Sequence, residues 1–317
     1  MDVVTLGESM VLFTPETNGY MRHADKYSSG IAGAESNLAI GLSRLGHQVS
    51  WISRLGDDEF GRKVLTFIRG EGVDTSHVHF DDASPTGLYF KEKLTEEETH
   101  VYYYRKNSAA SNMTVSDLNE EHISKAKYLY LTGITPALSE SCYETVKHAI
   151  AIARKHQLTI VFDPNLRLKL WSEERARNIL LELVSLVDIV LPGIDEGKFL
   201  FHEATPEKIA ENFYNQGAKL TVVKLGAEGA YYYSAQEAGY VAGPLVKDVV
   251  DPVGAGDGFA AGLISGLLEK TSVKEAVKRG AYTGALVVKV KGDVEGLPEK
   301  ERLKNFMNET NTNDVYR

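Results

Sequence analysis

The chain has 317 residues, 43% apolar and 25% charged, values of an ordinary soluble globular protein, and its formal net charge of -9 disfavours nucleic acid as a partner. One cysteine, Cys142, excludes an intrachain disulfide, and no apolar run approaches membrane-spanning length. With no basic, apolar leader at the N-terminus, the expected setting is the cytoplasm, and the length suits one main α/β domain with an appendage.

In chain order, Val3 to Gly7 reads as a buried strand, and Val11 to Ser29 as something short and β-like. Gly30 to Gly33 opens a helix over Ala34–Leu45, stopped by Gly46; a strand at Trp51–Gly56 and an amphipathic helix over Glu59–Glu71 follow. Gly87–Glu92 and His100–Tyr104 alternate and are rich in Tyr and Phe, with Glu96-Glu97-Glu98 as the turn of a hairpin. Paired with the early β segment, about residues 11–29 and 87–113 would make a small sheet, read here as a lid.

Beyond Met113 the rhythm becomes strand, helix, strand, as a parallel sheet with right-handed crossovers requires. Strands are expected at Tyr128–Thr132, Thr159–Asp163, Ile189–Leu191 and Leu220–Leu225, and helices at Glu140–Lys155, Ser172–Leu186 and Pro206–Gln216. Tyr231–Ser234 and Gly239–Val241 suggest an antiparallel edge. Two closing helices, Ala255–Leu268 and Val273–Lys289, precede a polar tail, Asn308–Asn313, expected to fray.

The chemistry gathers at Asp251-Pro252-Val253-Gly254-Ala255-Gly256-Asp257, a Gly-rich turn opening a buried helix. Alone, such a turn is more often a tight loop than a site. Its place after the late strands of an α/β sheet, where ligands bind, favours the site, since a helix N-terminus attracts anions. N–H groups of Gly254, Ala255 and Gly256 would meet charge on a moving phosphate, and Asp257 would accept a proton. No G-x-x-x-x-G-K-[ST] exists, no dinucleotide fingerprint follows the first strand, and the nine histidines lack zinc spacing.

Other segments stay open on residues alone. Gly30 to Asn37 fits a close-packed helix start. Tyr102 to Ser111 fits packing, although alternation puts Tyr103 and Arg105 on one face, with Tyr89 on the neighbouring strand, an arrangement suited to a carboxylate. Asp163-Pro164-Asn165-Leu166-Arg167 fits an exposed turn, Glu196 a helix cap, and Lys224 to Ala230 a plain β connection.

The Asp251–Asp257 segment and Gly30-Ile31-Ala32-Gly33-Ala34-Glu35-Ser36-Asn37 together resemble the two signatures of the PfkB (ribokinase-like) family of carbohydrate kinases, and the resemblance spans nearly the whole chain. It implies a ribokinase-like three-layer α/β/α fold, with a mostly parallel central sheet and a small β-sheet lid, in a single domain over residues 1–317. It also implies ATP and Mg2+ as cofactors and Asp257 as catalytic base. Gly33, Ala34 and Asn37 would approach the sugar; Asn165, Lys224, Gly226, Gly229, Gly254 and Gly256 would line the nucleotide side; and Glu196 would order magnesium, though Gly193 stands where the family has Asn.

Many relatives carry an Asp where this chain has Leu12, which argues against ribose or fructose. The run Tyr103-Tyr104-Arg105-Lys106 resembles family members acting on keto-deoxy sugar acids, with Arg105 and Arg167 as carboxylate cations and Tyr89 and Tyr103 beside them. The rivals are a kinase of the same fold for a neutral sugar or nucleoside, and a non-catalytic sugar-acid sensor. Exposed lid edges point to a homo-oligomer.

Overall fold

The computed structural model describes residues 1–95 and 98–313, so Glu96 and Glu97 of the expected hairpin turn lie outside the described residues. The chain opens with β1 (Val3–Leu6), β2 (Met10–Pro15), β3 (Tyr27–Ala32), α1 (Ala34–Arg44), β4 (Val49–Gly56), α2 (Glu59–Gly70) and β5 (Val78–Asp81). β6 (Leu88–Lys93) and β7 (Thr99–Tyr104) pair antiparallel, and α3 (Glu120–Ile123), β8 (Tyr128–Thr132) and α4 (Ile134–Leu138) lead into α5 (Glu140–Lys155). Next come β9 (Thr159–Asp163), α6 (Glu173–Val184), β10 (Ile189–Val190), α7 (Ile194–Phe201), α8 (Pro206–Asn215) and β11 (Leu220–Lys224). β12 (Gly229–Ser234), β13 (Ala238–Ala242), α9 (Ala255–Leu268), α10 (Val273–Val287) and α11 (Lys300–Asn313) close the fold.

Nine strands form the large sheet in the order β13-β12-β11-β10-β9-β8-β1-β4-β5, parallel except for the β12 and β13 edge. Because successive side chains of a strand face opposite ways, each strand feeds both cores. Val3, Trp51, Tyr130 and Val161 pack with α1, α9 and α10, whereas Val4, Ile52, Leu131 and Phe162 pack with α5, α6 and α8. The sheet switches direction about β1, which pairs with β8 on one side and β4 on the other. This is the point where an open α/β sheet leaves a crevice beyond its strand ends.

A second sheet, β3-β2-β6-β7, stands apart from the first. Its own small cluster joins Met10, Leu12, Ala32 and Tyr89, so Leu12 serves packing within this sheet.

Five elements escape the sequence reading: β5, α7, the short helices α3 and α4, and α11. The last has a legible stripe, Leu303, Phe306 and Met307, that packs on the core, with Phe306 edge-on to Tyr282 at 5.6 Å. Helical backbone therefore continues through Asn308–Asn313, where fraying was expected.

α9 is apolar almost all round because both sides are covered. Gly258, Gly262 and Gly266 recur every fourth residue on the side facing α10 and let the two helices nearly touch. A Cβ at Gly262 would lie 2.4 Å from Thr283 Oγ1 and 2.7 Å from the Arg279 carbonyl oxygen. Gly262→Ala should therefore cost about 1–3 kcal/mol of stability in urea unfolding. An unchanged midpoint would mean that α10 yields freely.

Candidate active site

The residues at the carboxyl ends of β1, β9 and β11 meet the N-termini of α1 and α9 around a cavity of about 350 Å³, roofed by β6 and β7 of the small sheet. Asp257, in the first turn of α9, is 8% exposed and lines it. Gly254 caps that helix in the left-handed region, φ 79°, and a Cβ there would sit 2.4 Å from the Asp293 carbonyl oxygen, so only glycine fits. The first intrahelical bond runs from Gly258 N–H to Gly254 C=O at 2.8 Å. Ala255, Gly256 and Asp257 consequently have N–H groups without an intrahelical acceptor, although Ala255 N–H leans towards Pro252 C=O at 3.4 Å.

Asn37 Nδ2 donates to Asp257 Oδ2 at 2.8 Å, while its own Oδ1 is buried without a partner and free to accept from a ligand. Burial pushes the Asp257 carboxyl up to about 7; the Asn37 hydrogen bond opposes this, and the nearby Asp163 and Asp293 reinforce it. Asp293 is likewise pushed up to about 7, by burial first and then by Asp251 and Glu295, with Lys91 opposing. Tyr89 OH donates towards Asp293 Oδ2 at 3.4 Å, and the other oxygen, Oδ1, has no partner.

Three ion pairs ring the cavity. Arg105 is buried against Glu8, whose other oxygen accepts from Ser108 Oγ at 2.6 Å. Lys91 meets Asp251 at 2.6 Å. Lys224 meets Asp163, and against the desolvation that favours its neutral form, Asp163 and Glu196 hold its ammonium above the ordinary value. Arg167 differs: it is exposed, lines the cavity mouth and has no carboxylate partner among the described residues.

A second, apolar groove of about 440 Å³ lies between the β11–β12 turn and α10, lined by Gly226, Gly229, Ala255, Phe259, Leu245 and Val288 among others. Lys224, Pro252 and Gly256 line both chambers. A flat apolar group in the groove could thus send a phosphate chain over the α9 N-terminus into the polar cavity, where Asp257 waits.

Every residue singled out from sequence falls on one of the two chambers. Gly33, Ala34, Asn37, Tyr89, Tyr103, Arg105, Arg167, Glu196, Gly254 and Asp257 line the polar cavity; Asn165, expected on the nucleotide side, also lines it. Gly226, Gly229 and Ala255 line the groove. Arg105 differs from the free clamp expected, because Glu8 already takes part of its charge.

Sequence reasoning missed Glu8, Lys91, Asp163 and Asp293. Alternation along β6 puts Lys91 on the same face as Tyr89, a signal that was available. Asp293 had none beyond its place in a charged loop after α10.

The residues fit a magnesium ion only as a partly hydrated one. Glu196 Oε2 accepts the Gly193 N–H, its Oε1 accepts the Leu166 N–H at 3.3 Å, and Asp163 is paired with Lys224. Among the described residues, no three His, Cys, Asp or Glu side chains converge as a metal cage. Asp163 and Glu196 could hold waters of a magnesium that arrives on phosphates.

A family model described as pfkB family carbohydrate kinase matches residues 1–300. The chain is 43% identical over 314 residues to a 2-dehydro-3-deoxygluconokinase of Bacillus subtilis (strain 168), covering 98% of this chain and 97% of that protein. The crystal structure of a PfkB protein from Polaromonas sp. JS666 superposes with TM-score 0.88 at 45% identity, covering 96% of this chain and 99% of that one. A putative Ribokinase II from E. coli, in complex with ATP and Mg+2, superposes with TM-score 0.90 at 27% identity, covering 97% and 99%.

The raised carboxyls carry a stability consequence. Asp257 titrates near 3.8 when unfolded and about 7 when folded, so the folded state holds the proton more tightly and its stability falls as pH climbs through that window. Asp257→Asn should therefore be more stable than the parent by about 1 kcal/mol or more at pH 8, and by less at pH 5, in chemical denaturation. Equal differences at the two pH values would mean that Asp257 is not held protonated by burial.

Proposed function

The chain belongs to the pfkB family of carbohydrate kinases, and from that premise we propose that it transfers the γ-phosphate of ATP to the terminal primary hydroxyl of 2-keto-3-deoxygluconate, giving 2-keto-3-deoxy-6-phosphogluconate and ADP. The observation that carries this reading is the buried Asp257 at the junction of the polar cavity and the apolar groove, with Arg167 unpaired at the cavity mouth. The 2-dehydro-3-deoxygluconokinase of Bacillus subtilis, similar over nearly the full length, supports the same substrate.

In this reading the carboxylate of the sugar acid lies between Arg167 and the remaining donors of Arg105, whose guanidinium also stands 5.5 Å from the Tyr103 ring centroid. Asn37 Oδ1 and Asp293 meet hydroxyls. The terminal hydroxyl then faces Asp257, which takes its proton as the oxygen attacks the γ-phosphorus and the bond to the β-phosphate oxygen breaks. The N–H groups of Gly256 and its neighbours and the Lys224 ammonium receive the charge on the moving phosphoryl group. A bound magnesium would neutralise phosphate charge, its waters held by Glu196 and Asp163.

The small sheet, covering the cavity, keeps water from the γ-phosphate. Its edge strand β7 exposes Tyr102 and Tyr104, at 41% and 62%, on the face opposite cavity-lining Tyr103, and we assign that outer face to a homo-oligomer contact. Sedimentation at micromolar concentration should give a dimer or larger; monomer alone would count against the contact. No described helix is long and apolar enough to cross a membrane, and we place the reaction in the cytoplasm, where the lone buried thiol of Cys142 stays reduced.

An ADP-release assay with MgATP tests the substrate: 2-keto-3-deoxygluconate should be preferred over gluconate, fructose and ribose. Arg167→Ala should raise KM for the sugar acid roughly tenfold or more with a smaller change for ATP. Turnover of fructose or ribose in preference would discard the carboxylate clamp. With the sugar acid, kcat/KM should climb with pH to a plateau above about 7, and Asp257→Asn should lower kcat roughly 100- to 10,000-fold. An Asp257→Asn variant with the parent's kcat would remove Asp257 from the role of base.

A further inference from the structure

Lys91 belongs to the small sheet, on β6, yet its side chain leaves that sheet for the turn that opens α9. Its Nζ donates to Asp251 Oδ2 at 2.6 Å, and the two side chains are only 16% and 8% exposed. Asp251 in turn organises the turn. Its Oδ1 accepts the Val253 N–H at 3.2 Å, its Oδ2 faces the Gly292 N–H at 3.4 Å, and its own N–H goes to Val288 C=O at 3.2 Å. The carboxylate therefore pegs the Pro252–Gly254 turn to the loop carrying Asp293, while the backbone of the same residue ties it to the end of α10.

Two physical consequences follow from the pairing. A buried carboxylate stripped of its cation is costly, so without Lys91 the peg would protonate or swing towards solvent, and the turn would lose its brace. Asp251 and Asp293 also stand near the path of an incoming polyphosphate, and Lys91 cancels one of their charges. The pair spans the two halves of the site, because β6 walls the acceptor cavity and the turn receives the phosphate.

We propose that Lys91 is a positioning residue that couples the two substrates: a sugar acid holding the small sheet over the cavity also seats Lys91 on Asp251, and so sets the α9 turn for the nucleotide. The proposal rests on the kinase reading above. Linkage makes the coupling reciprocal, so each substrate should tighten the other.

The test is calorimetry of a non-hydrolysable ATP analogue with magnesium, with and without saturating 2-keto-3-deoxygluconate, on the full chain. In the parent, the sugar acid should tighten the analogue by about 5- to 50-fold. Lys91→Met and Asp251→Asn should each bring that ratio to within about twofold of one, and Lys91→Arg should keep most of it. In steady state, Lys91→Met should raise KM for ATP about tenfold while KM for the sugar acid moves less than about threefold.

A parent ratio near one, or a Lys91→Met ratio equal to the parent's, overturns the coupling. Loss of sugar-acid binding alone in Lys91→Met overturns it too, by making Lys91 a sugar contact. The kinase reading stands or falls separately on ADP release by the parent: turnover with a flat ratio defeats only the coupling. Thermal unfolding of Lys91→Arg, which keeps the charge, shows whether a loss in Lys91→Met reflects the pair or the fold.

Discussion

The amide of Asn37 donating to the buried carboxylate of Asp257 is the contact on which the site depends. It joins the first turns of α1 and α9, residues 220 apart in sequence, and brings two helix N-termini to one cavity. A neutral amide is the right partner for a base. A cation bonded to Asp257 would hold the carboxyl low and make it a weak proton acceptor, whereas burial against an amide leaves it at about 7. Lys224, the nearest candidate to spoil this, is occupied by Asp163.

The rest of the site follows from keeping charge under control in a desolvated space. Glu8 with Arg105, Asp251 with Lys91, and Asp163 with Lys224 each pair a residue at a strand end or turn with one from a distant element. Asp293 and Glu35 are handled differently, with hydroxyl donors and no cation bonded to them among the described residues. Burial pushes both upward, while hydroxyls from Thr132 and Thr135 support the Glu35 carboxyl. At the opening Arg167 and the open N–H groups of α9 remain to meet an anion, while Glu196 beside them accepts backbone N–H groups.

The parallel strands, the longer helices and the two signature turns were legible because each is a local pattern: a short apolar run, a 3.6-residue stripe, a glycine where the backbone must bend. Asp257 could be picked out on the same basis, since the helix that follows it is continuous in sequence. Lys91 and Asp251 could not be paired from sequence, being 160 positions apart and each ordinary in its own segment. Arg105 was legible as a cation facing the cavity, but the partner that tempers it, Glu8, sits in a turn noticed only for what it lacked. α7 escaped because an eight-residue helix with glycine at its N-cap shows little period.

The two chambers share only a few residues, Lys224, Pro252 and Gly256, and otherwise draw their walls from different parts of the chain. The donor groove is built from the β11–β12 turn, the loop after β13, α9 and α10, and through Phe259 and Ala281 it abuts the large core, where volume changes propagate. Part of the acceptor cavity is built from Met10, Ala32, Tyr89, Lys91, Val101 and Tyr103, on a sheet whose own core is four residues. Such a division lets a lineage exchange one acceptor for another through a handful of substitutions on the small sheet without disturbing how the donor is held. The architecture thus separates what is inherited from what is free to diversify.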